Sequence, residues 1–369
     1  MNIQVGHDAA LIESKKKLIS DTYLHNAWYV AAWSEAVGEN GVLGLTILKQ
    51  PVVLYRQGKG EIVALEDRCA HRFAPLSMGQ VVGGNRIQCP YHGLEYDKTG
   101  VCVLQPHGNK NIPSRARVRS YPVLEKHSAI WIWMGDQPAD PAKVPDFSVM
   151  DNVPALHTTK LDKIMVKANY ELVIDNLLDL SHTSYLHVGI LGNADTVESD
   201  IGVEQEGDDI VVSRYARAGE PPGMNKLMWP DVPAKVDKFT RIRWMAPSTL
   251  RLISGVCIPG ETPEQGSGYH AIHLLTPETD STTHYFFTAV RFGVKSKGDE
   301  LNRQIQEKIA ATRRFAFEEQ DAPVIEAQQR IIDASTTAID PLTLPIDVGP
   351  VRYKRILTGL IAAETAPAR

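Results

Sequence analysis

Two short Cys/His pairs stand in the first third of the chain, Cys69-Ala-His71 and Cys89-Pro-Tyr-His92, separated by a stretch holding Arg72, Pro75 and Gly79. Two thiolates and two imidazoles suit tetrahedral zinc as well as iron, so ligand type alone admits a structural zinc site. Order and context decide otherwise. Each loop supplies one Cys and then one His, which fits a [2Fe–2S] cluster carrying its Cys pair on one iron and its His pair on the other. Cys69, His71, Cys89 and His92 are therefore the expected cluster ligands, and a chain with such a cluster moves electrons.

A second constellation lies at Asp175-Asn-Leu-Leu-Asp179-Leu-Ser-His182-Thr-Ser-Tyr-Leu-His187. Two histidines and a carboxylate are the parts of a facial site for non-haem Fe(II), which leaves positions open for O₂. Asp179 and His182 are three apart and would share a helical face, so the Asp179 carboxylate could accept a hydrogen bond from the ring nitrogen not bound to metal. His182 and His187 are five apart, which a regular helix splays by about 140°, so their convergence requires a bulge or a helix end. The third ligand must come from elsewhere, and the run Glu318-Glu319-Gln320-Asp321-Ala-Pro323-Val-Ile-Glu326 offers four acids among which spacing does not choose. Pro323 removes a helical hydrogen bond and should kink the helix beside Asp321, freeing that side chain to turn inward.

These residues need two scaffolds. Between Trp28 and Met134, β-branched and aromatic runs such as Val52-Val-Leu-Tyr55 and Ala129-Ile-Trp-Ile-Trp133 alternate with turns, which predicts a small β domain with the Cys/His loops at its tip. Pro138, Pro141 and Pro145 mark a linker, giving an N-terminal segment and cluster domain over 1–150 and a catalytic domain over 151–369. The second domain reads as a helix over about 170–188, strands from Ile210 to Phe292, and a long helical segment from Glu300 to Ala334. That is an α+β arrangement, an antiparallel sheet packed on a long C-terminal helix. The stretch from Glu220 to Pro233 is too rich in proline for regular structure and reads either as an active-site cover or as a surface connection.

The 369 residues are 43% hydrophobic and carry a net charge of −5, ample for two cores and without a basic stripe for nucleic acid. The one basic run, Lys15-Lys16-Lys17, reads as a solvated helix face. No apolar stretch is long enough to span a bilayer, and Asp8 and Glu13 interrupt any signal-peptide pattern. Cys102 and Cys257 have no disulfide framework around them and read as buried small residues, so a cytoplasmic setting is expected.

The stretches His25–Ala32, Cys69–Glu95, Gln105–Asn109, Asp175–Asp179 and Leu275–Thr279 together resemble the oxygenase components of Rieske non-haem iron oxygenases, in the branch of O-demethylases and methyl monooxygenases. The resemblance covers nearly the whole chain and implies an all-β Rieske domain followed by a catalytic domain of helix-grip type. It makes His182, His187 and Asp321 the mononuclear iron ligands and puts Asn176 close to the iron. It makes Asp179 the bridge between His182 and His92 of the partner subunit, and implies a head-to-tail homotrimer. Relatives commonly carry Lys after the third ligand, where this chain has Ala322-Pro323.

The implied activity is hydroxylation of a methyl or alkyl group on an aromatic compound, above all oxidative O-demethylation of an aromatic acid with release of formaldehyde; N-dealkylation, methyl hydroxylation and ring dihydroxylation are the alternatives. Electrons would come from NAD(P)H through a separate reductase, with or without a ferredoxin, since the chain has no dinucleotide fingerprint. A pure electron carrier or zinc-stabilised binding protein would leave the second constellation unexplained. For the substrate, the resemblance points to Arg251 and His273 as pocket residues and puts Thr312 where a relative has Trp. An Arg among apolar residues suits a carboxylate or sulfonate, although strand alternation equally allows Arg251 to face away from the pocket.

Overall fold

The computed structural model describes residues 19–366 except 21, 194–196, 198, 200, 338 and 340; the Lys15-Lys16-Lys17 run lies outside the described residues. The chain divides into two compact units, one of residues 25–146 with 276–279, the other of the remaining described chain. The first unit keeps 276–279 through main-chain bonds from Leu48 N to Pro277 O and Lys49 N to Glu278 O, and through Thr276 Oγ1 donating to Val30 O.

This first unit is all β. Its strands are β1 (Trp28–Trp33), β2 (Val42–Ile47), β3 (Gln50–Arg56), β4 (Ile62–Glu66), β5 (Gln80–Val82), β6 (Arg86–Gln88), β7 (Glu95–Tyr96), β8 (Cys102–Leu104), β9 (Ser120–Tyr121), β10 (Val123–Lys126) and β11 (Ala129–Trp133). They form three antiparallel sheets ordered β1-β11-β10, β2-β3-β4-β9 and β5-β6-β7-β8. Every residue of β11 is buried, and Trp131 and Trp133 each satisfy the indole N–H by donating to a backbone carbonyl, as buried tryptophans must. Cys69 and Cys89 lie within the core built by Val53, Tyr55, Leu65, Leu76, Ile87 and Tyr96.

The second unit is built on a seven-stranded antiparallel sheet: β12 (Asp162–Val166), β13 (Ile201–Glu206), β14 (Asp209–Gly219), β15 (Val236–Met245), β16 (Thr249–Cys257), β17 (Ser267–Thr279) and β18 (Thr282–Phe292), in the order β12-β18-β17-β16-β15-β14-β13. Among the described residues its α-helices are α1 (Tyr170–Leu178), α2 (Gly223–Met228), α3 (Asp299–Phe315), α4 (Ala322–Ala334) and α5 (Val348–Thr365). The described residues before His25 belong to this unit, contrary to the 1–150 division. Ser20 N donates to Glu171 Oε1, and Asn169 Nδ2 donates to Ser20 O, so the segment is tied to the start of α1.

Helix α1 carries the chemistry and is held from both ends. Asn169 caps it by accepting from Glu171 N, while Asn169 N itself donates to Gln329 Oε1 on α4. From α5, Tyr353 donates to Glu171 O and Lys354 Nζ reaches Asp175 Oδ2 at 2.6 Å.

Two expectations about the helices change. The first helix stops at Leu178 instead of running to Val188, because Asp179 adopts an extended backbone (φ −83°, ψ 93°) and its carboxylate accepts from Ser181 N. The long C-terminal segment is two helices joined by a π turn over Ala316–Asp321, in which Ala322 N–H reaches back to Phe317 O. Pro323 follows directly in the first turn of α4, and because the π turn runs into α4 without a break, its missing N–H withholds one donor from the turn behind it.

Candidate active site

The two Cys/His loops share one backbone design. In the first, Cys69 N donates to Ala74 O and Phe73 N to Cys69 O; in the second, Cys89 N donates to Leu94 O and Gly93 N to Cys89 O. The fourth residue after each Cys has a left-handed backbone, Phe73 at φ 59° and Gly93 at φ 70°. Glycine takes this conformation freely, whereas Phe73 adopts it against its intrinsic preference, so the loop overrides the side chain. The result holds the His71 and His92 rings 4.7 Å apart at the tip, with both cysteines buried below. Tyr96 OH lies 3.2 Å from Cys69 Sγ and accepts from Ala70 N, a hydrogen-bond environment of the kind that tunes an iron–sulfur cluster. Burial raises the Cys89 thiol pKa.

Among the described residues, the trio of His, Cys or carboxylate groups whose ligand atoms lie within 4.8 Å of one another is His182, His187 and Asp321. The Cys/His loops do not crowd three such atoms around one point, as a single zinc would require; a binuclear cluster spreads four ligands over two irons.

The trio comes from two segments. His182 opens a 3₁₀ turn just past α1, and His187 follows it, so the helix end is the device that lets residues five apart converge. Asp321, 4% exposed, closes the π turn. Its Oδ1 lies 3.2 Å from His187 Nε2 and 3.6 Å from His182 Nε2. The far nitrogens are occupied: His182 Nδ1 contacts the Asp179 main-chain carbonyl, and His187 Nδ1 lies 2.9 Å from Gln320 Oε1. With both Nδ1 atoms donating, both Nε2 atoms face Asp321 and are the ones that would ligate once a metal displaces the proton that Asp321 draws to His187. Burial lowers the His182 pKa and keeps the ring neutral. Burial also opposes charge on His187, but the hydrogen bond and charge of Asp321 outweigh it and raise that pKa, so a proton is held where a cation would bind. Two neutral imidazoles and one carboxylate with an open side fit Fe(II).

Asp179 therefore acts differently within the chain than expected. Its backbone carbonyl, not its carboxylate, meets His182, while its Oδ1 accepts from the Ser181 N–H and hydroxyl. Asn176 donates from Nδ2 to Asp321 Oδ1 at 3.2 Å, beside the trio.

The trio lines a cavity whose other walls include Leu177, Leu180, Ile190, Leu191, Leu252, Ala271, Ala316 and Phe317. Met224 of α2 reaches it as well, so the proline-rich stretch contains a helical turn and forms part of the cavity wall. His273 lines the cavity, 2% exposed, with Nδ1 2.6 Å from Tyr285 OH.

Arg251 does not reach this cavity. In the antiparallel register Leu250 pairs with His273 and Leu252 with Ala271, which puts those four on the cavity face of the sheet, whereas Arg251 pairs with Ile272 on the opposite face. There its charge lowers the His270 pKa, second to burial. The cationic group in the cavity is instead Arg313, 4% exposed, with its Cζ 5.5 and 5.4 Å from the ring centroids of Phe287 and Phe317. Sequence reasoning missed it, although the signal was present: Arg313 continues the buried stripe Ile305, Ile309 at helical spacing, while Arg314 points out to Asp162 and Glu318. Gln320 was likewise passed over, lying among acids that looked more useful.

Both units match known families. Residues 27–122 match the Rieske [2Fe-2S] domain, and residues 166–363 the vanillate O-demethylase oxygenase C-terminal domain. The oxygenase component of dicamba O-demethylase from Stenotrophomonas maltophilia is 39% identical over 353 residues, 94% of this chain and 100% of that one. Among solved structures, dicamba monooxygenase bound to 3,6-dichlorosalicylic acid superposes with a TM-score of 0.86 at 36% identity, covering 94% of this chain and all of that one. The same enzyme with non-haem iron and dicamba gives 0.76 at 36% identity over 93% and 98% of the two chains.

The chain belongs to the Rieske non-haem iron oxygenases. It is an oxygenase component of the vanillate and dicamba O-demethylase group, an O₂-dependent oxidoreductase whose cofactors are a Rieske [2Fe–2S] cluster and a mononuclear iron, with electrons delivered from NAD(P)H by a separate reductase. No helix among the described residues is long and apolar enough to cross a membrane.

Proposed function

We propose that the enzyme oxidises a methyl group on a substituted aromatic acid, with O-demethylation as its main reaction. The observation that carries this reading is the largely apolar cavity opening directly onto His182, His187 and Asp321, with one buried cation in its wall. Likeness to a dicamba O-demethylase supports the same reaction class.

In this reading Cys69 and Cys89 hold one iron of the cluster, His71 and His92 the other, and His182, His187 and Asp321 hold Fe(II). Bound there, the metal would supply the site for O₂ activation. The residues around it orient and shield. Asn176 and Gln320 fix Asp321 and His187 by the hydrogen bonds described, and Phe317, Leu177 and Ile190 keep bulk water from the reacting carbon. The net change is R–O–CH₃ plus O₂, two electrons and two protons to R–O–CH₂OH plus water. The hemiacetal then breaks its C–O bond, giving formaldehyde and the free phenol.

Asp179 would connect the two metals by pairing His182 with His92 of the partner subunit, in a head-to-tail homotrimer. A ferredoxin between reductase and cluster, and a cytoplasmic setting in keeping with four unpaired cysteines, complete the proposal. The test is a product screen of the reconstituted enzyme with a surrogate reductase, offering methoxylated aromatic acids, N-alkyl aromatics and methyl-substituted sulfonates. Formaldehyde matched by phenol is the expected result. A ring product carrying both oxygen atoms of O₂, with no formaldehyde, would overturn it.

A further inference from the structure

The catalytic cavity contains three buried nitrogen atoms without a hydrogen-bond partner: Nη1 and Nη2 of Arg313, and Nε2 of His273. Such atoms are rare in a folded interior and call for an explanation. A guanidinium is charged at any physiological pH, so Arg313 has no neutral form to retreat to. Among the described residues no carboxylate pairs with it. Asp162, whose charge it feels weakly, is bonded to Arg314 Nη1 at 2.8 Å, and Asp321, the carboxylate lining the cavity, is turned toward the two histidines. Once Asp321 serves a divalent cation, the cavity holds no negative charge for Arg313.

What holds the guanidinium is cation–π contact. Phe287 and Phe317, T-shaped to one another, pack against it with their ring centroids 5.5 and 5.4 Å from Cζ, and Nη1 and Nη2 are the atoms left without a protein partner. His273 is arranged in the same sense. Its Nδ1 is occupied by Tyr285 OH, and with the tyrosine donating, the imidazole carries its proton on Nε2 as a free donor. Burial, reinforced by the charge of Arg313, keeps that ring neutral.

We infer that Arg313, with His273 beside it, receives the oxyanion of an aromatic substrate, so that the charged end of the ring is anchored at α3 and β17 while the group to be oxidised faces His182, His187 and Asp321. This rests on the aromatic-acid reading above and replaces Arg251, which lies on the other face of the sheet, as its anion receptor. The edge of a guanidinium matches a planar carboxylate in a two-point pair, and a sulfonate presents two of its oxygens to the same edge. Discrimination against neutral analogues follows, because an amide would leave the buried charge unpaired.

The test is calorimetric titration of the anaerobic holoenzyme with three probes of one shape: ortho-methoxybenzoate, ortho-methoxybenzenesulfonate and ortho-methoxybenzamide. The wild type is expected to bind either anion at least tenfold tighter than the amide. Arg313→Gln should weaken the anions by about 30-fold or more, the fold-change equivalent of about 2 kcal/mol, and the amide by less than threefold. Arg313→Lys, which keeps the charge but not the fork, should recover part of the loss. A wild type that binds anion and amide alike overturns the inference without any variant, as does an Arg313→Gln protein in which all three probes weaken equally. If the anions bind in an Arg313-dependent way but no formaldehyde is released on turnover, the anion site stands and the demethylation reading falls.

Discussion

Gln320 is the most direct test of how the mononuclear site is held. Its amide bridges two groups: Oε1 lies 2.9 Å from His187 Nδ1, and Nε2 donates to Leu186 O at 2.8 Å. Replacing it by Leu keeps the approximate volume and removes both bonds. His187 is 1% exposed, so its Nδ1–H would be left without an acceptor, at a cost of about 1–3 kcal/mol. The ring can recover that cost by moving its proton to Nε2, the nitrogen that faces Asp321 Oδ1, and a protonated Nε2 cannot ligate. Loss of such a supporting partner weakens metal affinity by roughly 10- to 100-fold, which corresponds to about 1.4–2.8 kcal/mol and agrees with the cost of the orphaned N–H. We predict that Gln320→Leu raises the Fe(II) dissociation constant within that range. The assay is anaerobic competition titration against a chelator, with the visible absorption of the [2Fe–2S] cluster as an internal control for folding. A change of less than twofold, with the cluster intact, would refute the claim that Gln320 sets the His187 tautomer.

The other predictions concern the cluster, the link between the metals and the stability of α1. His71→Ala or Cys89→Ser should abolish the visible cluster absorption and all turnover, and stoichiometric zinc in a colourless wild type would sink the assignment. Asp179→Asn keeps an acceptor for Ser181 but loses the charge, so both metals should remain while turnover nearly vanishes; iron analysis showing an empty mononuclear site would make Asp179 a ligand instead. Glu171 sits buried on α1 with its carboxyl pushed up to about 7, by burial first and by the charge of Asp175, against the opposing pull of Lys354. A raised carboxyl pKa means the folded protein binds the extra proton, so stability is fullest below the unfolded value near 4.5 and falls as pH rises toward 7. Glu171→Gln should therefore stabilise the protein above pH 7 by on the order of 1–3 kcal/mol, with little gain at pH 4.5 in paired thermal melts. An equal gain at both pH values would show that the carboxylate charge is not the cause.

What the chain determined locally was legible without coordinates. Each Cys/His loop is a closed turn whose hydrogen bonds join a Cys to residues four and five further on, so the ligands and their backbone lie in one short window of sequence. The same holds for His182 and His187, whose spacing already demanded a bulge or a helix end, and the chain supplies a helix end at Asp179. Alternating β-rich runs and turns likewise reported the strands, because side-chain alternation is a property of neighbours.

Tertiary structure decided the rest, for reasons of packing. Four acids near residue 321 were equivalent in sequence, and only the π turn, a distortion of one extra residue, brings Asp321 against His187 and turns Glu318 outward to Arg314. Strand β16 has buried or half-buried residues on both faces, so composition could not tell which side Arg251 occupies; the register with β17 settles it. In sequence Arg313 is simply one of two adjacent arginines, Arg313 and Arg314. Its burial depends on where α3 lies against the cavity, and that is a long-range fact: the aromatic pair packed against it comes from β18 and from the π turn, and no local window of sequence contains both.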